Sequence, residues 1–360
     1  MAFFKKLLKK SNNSSKPPRG FHSMKISAVE KLTSDTVKVL LEIPEGKEKE
    51  FVFSAGQYLD FSININGTDF RRSYSICSGT NEPLAVAVKQ IENGIVSMWF
   101  NHAAQEGDTL QVSSPQGNFT IPKEAKNIVA IAAGSGITPI MSIAKEIEKN
   151  GGKFKLFYGN RTTETILFKS EIDALTNTTC SYYLSGEEVE GYGKGRINKQ
   201  NFSEIIKSDL QLLKTDCFFI CGPEQMILEI SEVLKLFGVS DEKIRYELFT
   251  TPVLLKKEDE NTESDFSGEA SVSVILDSEK ITFNLAAKGE SVLEKSINEG
   301  LDAPYSCKGG VCSSCKAKVL NGKTTMSMNY SLTDQEIEEG YTLTCQTHPA
   351  SSEILISYDE

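Results

Sequence analysis

Four cysteines near the C-terminus have the spacing of ligands to an iron–sulfur cluster. Three form a C-x4-C-x2-C run and the fourth follows after 29 intervening residues: Cys307, Cys312, Cys315 and Cys345. In a [2Fe–2S] cluster each iron is tetrahedral and binds two sulfides and two thiolates, so four cysteines are needed. The small residues between the first three let the backbone wrap closely and direct N–H groups at the sulfurs. A chain with such a cluster transfers single electrons.

Zinc binding and disulfide bonding are the alternatives for these cysteines, because an isolated C-x2-C pair is common. A zinc site usually pairs C-x2-C with a second close pair of ligands, whereas here the fourth cysteine stands alone and the chain has only three histidines. The four-point spacing therefore favours the cluster. Three other cysteines, Cys77, Cys180 and Cys217, are interpreted as small apolar side chains.

Two motifs in the first third of the chain suit a phosphorylated, flat ligand. The first is Arg72-Ser73-Tyr74-Ser75, and the second, Gly94-Ile95-Val96-Ser97, opens a short helix-like stretch over 96–104. An arginine forks onto a phosphate while a tyrosine ring covers one face of a heterocycle. A glycine at a helix start exposes backbone N–H groups and Ser97 adds a hydroxyl, so a pyrophosphate is expected there. Each motif alone also suits an ordinary strand or turn.

A third motif follows a continuous apolar run over 128–133. It reads Gly134-Ser135-Gly136-Ile137-Thr138-Pro139 and leads into a helical pattern over 140–150. This strand, glycine turn and helix predict a dinucleotide site in which Thr138 caps the helix. Pro139 stands where the G-x-G-x-x-G fingerprint has its third glycine, so that fingerprint is incomplete. A later strand ends in Cys221-Gly222-Pro223, which places a thiol at the carboxyl edge of the sheet, although Cys221 also suits a small buried side chain.

The elements that position these motifs form several domains. Short runs that alternate apolar and polar residues predict an antiparallel barrel over 21–122, and alternating strand and helix patterns predict a parallel α/β domain over 123–250. Residues 251–269 form an acidic linker and 270–360 hold the cysteines. The basic tail over 1–20 is expected to be disordered, with attraction to an acidic surface as the alternative.

Composition excludes several classes of protein. The net charge of −10 and pI of about 5.1 argue against general nucleic-acid binding. No run of about 18 apolar residues exists, so no transmembrane segment is expected. The eight cysteines, four of them assigned to a cluster, indicate a reducing cytoplasm rather than a disulfide framework.

The motifs in their order resemble those of the ferredoxin–NADP reductase superfamily over residues 22–250, and residues 270–360 resemble a plant-type ferredoxin. The resemblance implies a multidomain protein with an antiparallel β-barrel flavin domain, a Rossmann-like α/β nucleotide domain and a β-grasp ferredoxin domain. The order of domains resembles the reductase subunits of bacterial oxygenases, those of phenylacetyl-CoA epoxidase systems in particular. The implied cofactors are FAD and a [2Fe–2S] cluster, with NAD(P)H as electron donor.

The resemblance also assigns roles to residues. Arg72 would hold a flavin phosphate, Tyr74 would lie against the isoalloxazine and Ser75 would bond near its reactive nitrogen. The other expected cofactor contacts are Gly94, Val96 and Ser97 for the FAD pyrophosphate, Gly134, Gly136, Thr138 and Pro139 for the nicotinamide nucleotide, and Cys221 and Gly222 for its nicotinamide. Relatives place a glutamate and an aromatic beside the flavin, here Glu247 and Phe249. The residues expected to act in catalysis are Tyr74, Ser75, Cys221 and Glu247.

The implied activity is electron transfer from NAD(P)H to a protein acceptor. A nicotinamide donates two electrons at once and a cluster accepts one, so a flavin is needed between them. A separate oxygenase or other one-electron acceptor protein is expected, because the chain has no carboxylate-rich iron site or haem motif of its own. Service to another mono- or dioxygenase, and a non-enzymatic iron–sulfur carrier or sensor, remain alternatives.

The residues that select NADPH or NADH are expected at the end of the third strand of the α/β domain. The family likeness favours NADPH, but Ser185 is followed by Gly186, Glu187 and Glu188, whose charges would repel a 2′-phosphate. The cations Arg161, Lys194 and Arg196 lie in loops that could reach the same region.

Overall fold

The computed structural model describes residue 18, residues 20–250, residue 253 and residues 265–360. The described chain divides into an N-terminal unit, Phe21–Phe249, and a C-terminal unit that contains residues 265–360. The predicted tail over 1–20 lies outside the described residues except for residues 18 and 20, and the predicted linker over 251–269 lies outside them except for residues 253 and 265–269. Among the described residues, no helix combines the length and apolar character needed to cross a bilayer.

The N-terminal unit begins with an antiparallel six-stranded sheet in the order β4-β3-β6-β1-β2-β5. Its strands are β1 (Phe21–Thr33), β2 (Thr36–Glu42), β3 (Tyr58–Ile65), β4 (Thr68–Ser75), β5 (Ala85–Lys89) and β6 (Thr109–Ser113). The two edges meet just after β4, where Ile76 bridges to Val86 and the Cys77 N–H donates to the Ala85 carbonyl at 2.9 Å. The sheet therefore closes into the predicted barrel.

One helix, α1 (Ile95–His102), covers the barrel and buries Trp99 and Phe100. The Phe100 ring meets Phe61 edge to face at 5.7 Å between centroids. Phe61 belongs to β3, which lies between β4 and β6 in the sheet and whose side chains are nearly all buried. This aromatic packing determines on which side of the barrel Tyr74 of β4 lies.

The second half of the unit is a parallel sheet in the order β10-β9-β8-β7-β11-β12. Its strands are β7 (Asn127–Ala133), β8 (Lys153–Asn160), β9 (Thr178–Leu184), β10 (Gly193–Lys194), β11 (Cys217–Cys221) and β12 (Ile244–Glu247). The strand order reverses between β7 and β11, and in such sheets the crevice beyond the strand ends at this reversal is where ligands bind. The predicted Rossmann-like arrangement is confirmed.

Helices and short 3₁₀ turns connect these strands. The helices are α2 (Ile137–Lys149), α3 (Lys169–Asp173), α4 (Lys199–Ser208) and α5 (Glu224–Leu236). The 3₁₀ turns of the unit cover Glu48–Phe51, Gly134–Gly136, Thr163–Thr165, Leu210–Lys214 and Asp241–Lys243. Both faces of the sheet are covered, so β11 reads as a continuous apolar run in which Phe218, Phe219 and Ile220 are fully buried.

The barrel and the α/β domain are joined by polar contacts between the loop over 78–82 and α2. Lys145 of α2 lies 2.8 Å from a Glu82 oxygen and 2.7 Å from a Glu171 oxygen, and its side chain is only 10% exposed. The Ser142 hydroxyl donates to the Ser78 carbonyl at 2.7 Å. A nearly buried ammonium held by two carboxylates couples the three elements, because a charge with so little access to water depends on its ionic partners. We call this set of contacts the loop 78–82 interface.

The C-terminal unit is a five-stranded sheet, β14-β13-β19-β15-β17, with a separate antiparallel pair of strands, β16-β18. Its strands are β13 (Glu269–Leu276), β14 (Glu279–Ala286), β15 (Lys316–Asn321), β16 (Thr324–Met326), β17 (Tyr341–Leu343), β18 (Thr347–Pro349) and β19 (Glu353–Ser357). The central strands β13 and β19 run parallel, and α6 (Val292–Asn298) crosses over. A capping box starts α7 (Asp334–Glu338), with the Thr333 hydroxyl accepting from the Glu336 N–H.

Candidate functional site

The end of β4 carries the Arg-x-Tyr-Ser motif. Arg72 is exposed and one of its guanidinium nitrogens donates to the Arg71 carbonyl at 2.7 Å. The Tyr74 ring packs edge to face on Phe61 and Phe100, with centroid distances of 5.7 Å and 5.5 Å. Burial raises the pKa of Tyr74, against a smaller opposing effect of Arg72. The tyrosine therefore stays protonated and its ring is held in one orientation.

Gly94 caps the start of α1. A Cβ atom there would lie 2.3 Å from Cγ1 of Ile91 and 2.5 Å from Oγ of Ser97, so any larger residue would have to displace these two side chains. The Ser97 hydroxyl accepts from the Ile91 N–H at 3.1 Å and donates to the Gly94 carbonyl at 2.9 Å. The Ser97 hydroxyl therefore shapes this turn, and its predicted contact with a phosphate stays a prediction. The backbone N–H groups of Val96 and Ser97 belong to the first helical turn, where amides lack intrahelical partners.

The loops after β7 and β11 touch through their backbones. A Cβ atom on Gly136 would lie 2.1 Å from the Cys221 carbonyl oxygen and 2.9 Å from the Gly222 nitrogen. A Cβ atom on Gly222 would in turn lie 3.1 Å from Cβ of Ala133. Gly134 has a φ of +54°, in the left-handed region that favours glycine. The two predicted nucleotide-binding segments are thus adjacent, and the absence of side chains lets the backbones approach each other.

The structure corrects the prediction that Thr138 caps α2. The helix starts at Ile137, three residues before the predicted start, and its N-cap residue is Gly136. Thr138 is the second residue of the helix, and its hydroxyl donates to the Ser135 carbonyl at 3.0 Å. Pro139 follows at the third helical position, where a missing N–H costs nothing because first-turn amides have no intrahelical partner.

Residues from three strands converge where the barrel meets the α/β domain. The Ser75 hydroxyl, at the end of β4, donates to a Glu247 carboxylate oxygen at 3.3 Å, at the end of β12. Glu247 is paired directly with Cys221 in the β11–β12 ladder, and Cys221 is fully buried. Burial, followed by the nearby Glu247 charge, raises the pKa of the Cys221 thiol. Phe249 lies two residues beyond β12 and is exposed, so this contact set does not include it.

Glu247 gives the unit a specific pH dependence. Burial raises the pKa of its carboxyl to about 8, although the Ser75 hydroxyl lowers it slightly, from an ordinary value of 4.5. Between pH 4.5 and about 8 the folded state holds a proton that the unfolded chain has lost, so this group makes stability fall as pH rises. We expect the stability advantage of Glu247→Gln over the wild type to grow by up to about 1.4 kcal/mol per pH unit in this window, measured by urea unfolding.

The exposed glutamate Glu124 provides a matched control for that measurement. Glu124→Gln should leave the difference from the wild type constant across the same pH range. If the Glu247→Gln difference is equally constant, the buried carboxyl does not titrate in this window and the interpretation of Glu247 is wrong.

The four predicted cluster cysteines lie together in the C-terminal unit. Cys312, Cys315 and Cys345 are buried and Cys307 is half-buried. The Gly309 N–H donates to Sγ of Cys307 at 3.3 Å, and the Ser314 hydroxyl donates to Sγ of Cys312 at 3.1 Å. A Cβ atom at Gly310 would lie 2.9 Å from the Met328 carbonyl oxygen, so the loop can pass here only as glycine.

The cysteines interact as two pairs. A thiol hydrogen bond with Cys312, together with the N–H groups of Gly309 and Val311, lowers the pKa of Cys307 to about 6. Interaction with Cys315 likewise lowers the pKa of Cys345. Within the described residues, no three His, Cys, Asp or Glu side chains converge on a single ion. Two thiol pairs lined by N–H donors fit a cluster of two irons, each of which needs two cysteines.

Sequence reasoning missed one residue of this site. Gln346 follows the fourth cysteine, and its amide donates to the Lys308 carbonyl at 3.0 Å and approaches Sγ of Cys345 at 3.8 Å. It therefore ties the loop of the first three cysteines to the fourth. The only sequence signal is its position next to Cys345, which a spacing pattern of cysteines does not include.

The region after β9 brings acids and cations together. The Gly186 N–H donates to the Arg161 carbonyl at 2.7 Å, and a Glu187 oxygen accepts from the Thr163 N–H at 2.5 Å. Lys194 is paired with Glu188 at 2.6 Å, an exposed contact. Arg161 and Lys194 thus lie near these acids, and the charge of Lys194 is offset by Glu188.

Family models match three segments of the chain. They describe an oxidoreductase FAD-binding domain over residues 23–121, an oxidoreductase NAD-binding domain over 130–232 and a 2Fe-2S iron–sulfur cluster binding domain over 274–350. The matched segments coincide with the barrel, the parallel sheet and the unit that holds the four cysteines.

Characterised relatives align along nearly the whole chain. A subunit of the 1,2-phenylacetyl-CoA epoxidase of Escherichia coli K12 is 36% identical, covering 94% of this chain and 98% of the relative. The ferredoxin reductase component of the 3-ketosteroid-9-alpha-monooxygenase of Rhodococcus rhodochrous is 30% identical, over 95% and 98%. The structure of phthalate dioxygenase reductase has the same fold, with a TM-score of 0.59 at 24% identity, over 94% of this chain and 98% of that one.

Proposed function

The chain belongs to the ferredoxin–NADP reductase superfamily, among the members that carry a C-terminal [2Fe–2S] domain, and we propose that it is the reductase component of an oxygenase of the phenylacetyl-CoA epoxidase type. It is an NAD(P)H-dependent flavin and iron–sulfur oxidoreductase. The observation that carries the proposal is the presence in one chain of the Ser75–Glu247 contact beside Cys221 and of four cysteines held as two pairs. The likeness to a component of an epoxidase supports the identity of the acceptor.

The residues present fit the three redox groups. Four thiols with N–H donors suit the cluster. The glycine turn at Gly94 leaves the N–H groups of the helix start available to a pyrophosphate. The loops that meet at Gly136 and Cys221 leave backbone without side chains for a dinucleotide. When bound, FAD accepts a two-electron hydride and releases electrons singly, which a nicotinamide and a cluster cannot do between themselves.

We propose the following roles for the chain's own residues. Arg72, exposed at the end of β4, binds a flavin phosphate, and Tyr74 packs its fixed ring against the flavin. Ser75 and Glu247 hold a proton beside the reacting atoms, since the Glu247 carboxyl stays protonated up to a pH of about 8. Cys221 lines the nicotinamide position with a thiol that burial keeps neutral. Phe249, exposed just after β12, is available to cover a cofactor.

NADPH is proposed as the donor, on the family likeness, with a modest preference over NADH. Arg161, Lys194 and Arg196 are the cations in reach of a 2′-phosphate, but Glu188 offsets Lys194 and Glu187 adds a negative charge. A ratio of kcat/KM values that strongly favours NADH would refute this preference. We also propose a cytoplasmic location, which the need for four reduced thiolates supports.

An anaerobic absorbance titration of the purified protein with NADPH and then NADH tests the proposal. Loss of both the flavin and the cluster bands is expected, followed by reduction of cytochrome c and of the partner oxygenase. Loss of the flavin band alone would mean that the cluster is not coupled to the flavin. If neither band responds, the chain is not a reductase, and a non-enzymatic iron–sulfur carrier or sensor takes its place. If the protein reduces other oxygenases but not an epoxidase, the partner is another mono- or dioxygenase.

A further inference from the structure

A buried tyrosine lies beneath the glycine turn at the end of β7. Tyr158, on the neighbouring strand β8, is fully buried. Its hydroxyl donates to the Gly134 carbonyl at 3.0 Å and accepts from the Leu167 N–H at 3.3 Å. Tyr158 belongs to none of the motifs found in the sequence, and the roles proposed above do not use it.

The hydrogen-bond pattern fixes the direction of the phenol hydrogen. The Leu167 N–H donates to the phenol oxygen of Tyr158. The phenol hydrogen is therefore donated to the Gly134 carbonyl. Asn160, two residues further along β8, is buried, and its amide nitrogen has no hydrogen-bond partner among the described residues. Burial raises the pKa of the Tyr158 hydroxyl, so the phenol keeps its hydrogen.

The Gly134 carbonyl oxygen accepts two hydrogen bonds. The Ile137 N–H also donates to it at the start of α2, so both lone pairs of this oxygen have partners. In a trans peptide the carbonyl and the following N–H point in opposite directions. With its carbonyl held toward Tyr158, the peptide between Gly134 and Ser135 directs the Ser135 N–H away from Tyr158, on the opposite side of the turn. The described chain has no cis peptide that would alter this relation.

We propose that Tyr158 is a positioning residue for the pyridine nucleotide: its hydroxyl locks the peptide between Gly134 and Ser135 so that the Ser135 N–H faces a nucleotide phosphate. The inference rests on the proposed function. Gly134, with its left-handed φ of +54° and open space around a Cβ atom, has no side chain to resist reorientation of this peptide. The tyrosine supplies the restraint that the glycine lacks.

Tyr158→Phe removes one oxygen atom and keeps the ring. We expect KM for NADPH and NADH to rise roughly three- to tenfold, the effect of one lost hydrogen bond, with kcat at saturation and flavin and iron content retained. Tyr182→Phe is the matched control, because Tyr182 lies on the next strand and its hydroxyl donates to Asp173 instead of the turn. It should leave KM unchanged.

Several outcomes separate this role from a purely structural one. A lower melting temperature in Tyr158→Phe with an unchanged KM would contradict the inference while leaving the proposed function intact. A wild-type protein that neither nucleotide reduces would contradict both. Should Tyr158→Phe fail to fold, hydrogen exchange of the wild type tests the same point: saturating NADP⁺ should slow exchange in the peptide over 133–137, and no protection there would overturn the inference.

Discussion

Replacement of Cys345 by serine is expected to abolish electron delivery beyond the flavin. Cys345 is buried, interacts with Cys315 and receives the Gln346 amide, so its loss removes one thiolate from one of the two pairs. Loss of an outer-shell partner alone typically costs 10- to 100-fold in metal affinity or activity, so we expect cytochrome c reduction to fall by at least about 100-fold. Iron and acid-labile sulfide content, measured on the purified variant, should fall with it.

Reduction of the flavin by NADPH should persist in Cys345→Ser, because the flavin and nucleotide segments belong to the N-terminal unit. Cys180→Ser is the matched control, since Cys180 is a half-buried free thiol of β9. It should keep both cluster content and cytochrome c reduction. Normal iron content and turnover in Cys345→Ser would show that the fourth ligand has been assigned wrongly.

Gly136→Ala is expected to block hydride entry while sparing both redox groups. The added Cβ would lie 2.1 Å from the Cys221 carbonyl oxygen, a distance that no real contact reaches, so the loops after β7 and β11 must separate. A displacement of about 1 Å in a reacting pair can cost 100-fold in rate, and we expect the rate of flavin reduction by NADPH to fall by about that factor. Stopped-flow absorbance at the flavin band measures this rate.

Photoreduction of the Gly136→Ala flavin, which bypasses the nucleotide, should proceed normally and reach the cluster. Gly151→Ala is the matched control: Gly151 follows α2 and has a left-handed φ, +68°, but has open space where its Cβ would lie. It imposes backbone strain without the clash and should reduce the rate little. Equal rates in Gly136→Ala and the wild type would mean that the nucleotide does not use the crevice between β7 and β11.

Local pattern was enough to predict much of the fold. Strand β11, Cys217–Cys221, is an uninterrupted apolar run, and β3, Tyr58–Ile65, alternates apolar and polar residues, so both strands have a pattern that is visible in the local sequence. The start of α2 was predicted too late, because Ile137–Pro139 contains a threonine and a proline, which usually precede a helix rather than begin it. Two-residue β10 is held by pairing with β9 alone and leaves no periodicity to detect.

The candidate site was likewise predicted in part. The cluster cysteines lie within one short segment plus one residue, so their spacing is visible in the sequence. The Ser75–Glu247 contact joins residues 172 positions apart, and the family resemblance implied only that each of them lies near the flavin. Tyr158 and Gln346 were missed because each acts through a backbone carbonyl, and a carbonyl is present in every residue. Residue types alone therefore cannot reveal such contacts.

The loop 78–82 interface restricts how parts of this reductase can be exchanged with those of others. A chimera that replaces residues 127–247 with the nucleotide domain of another protein would keep Glu82 but lose its partner Lys145, and Thr80 would lose its contacts with Glu146 and Lys149. The retained carboxylate would then face a foreign helix. Recombination between such genes is thus expected to succeed when the loop over 78–82 and helix α2 come from the same parent. The barrel and the nucleotide domain would then be inherited as one block.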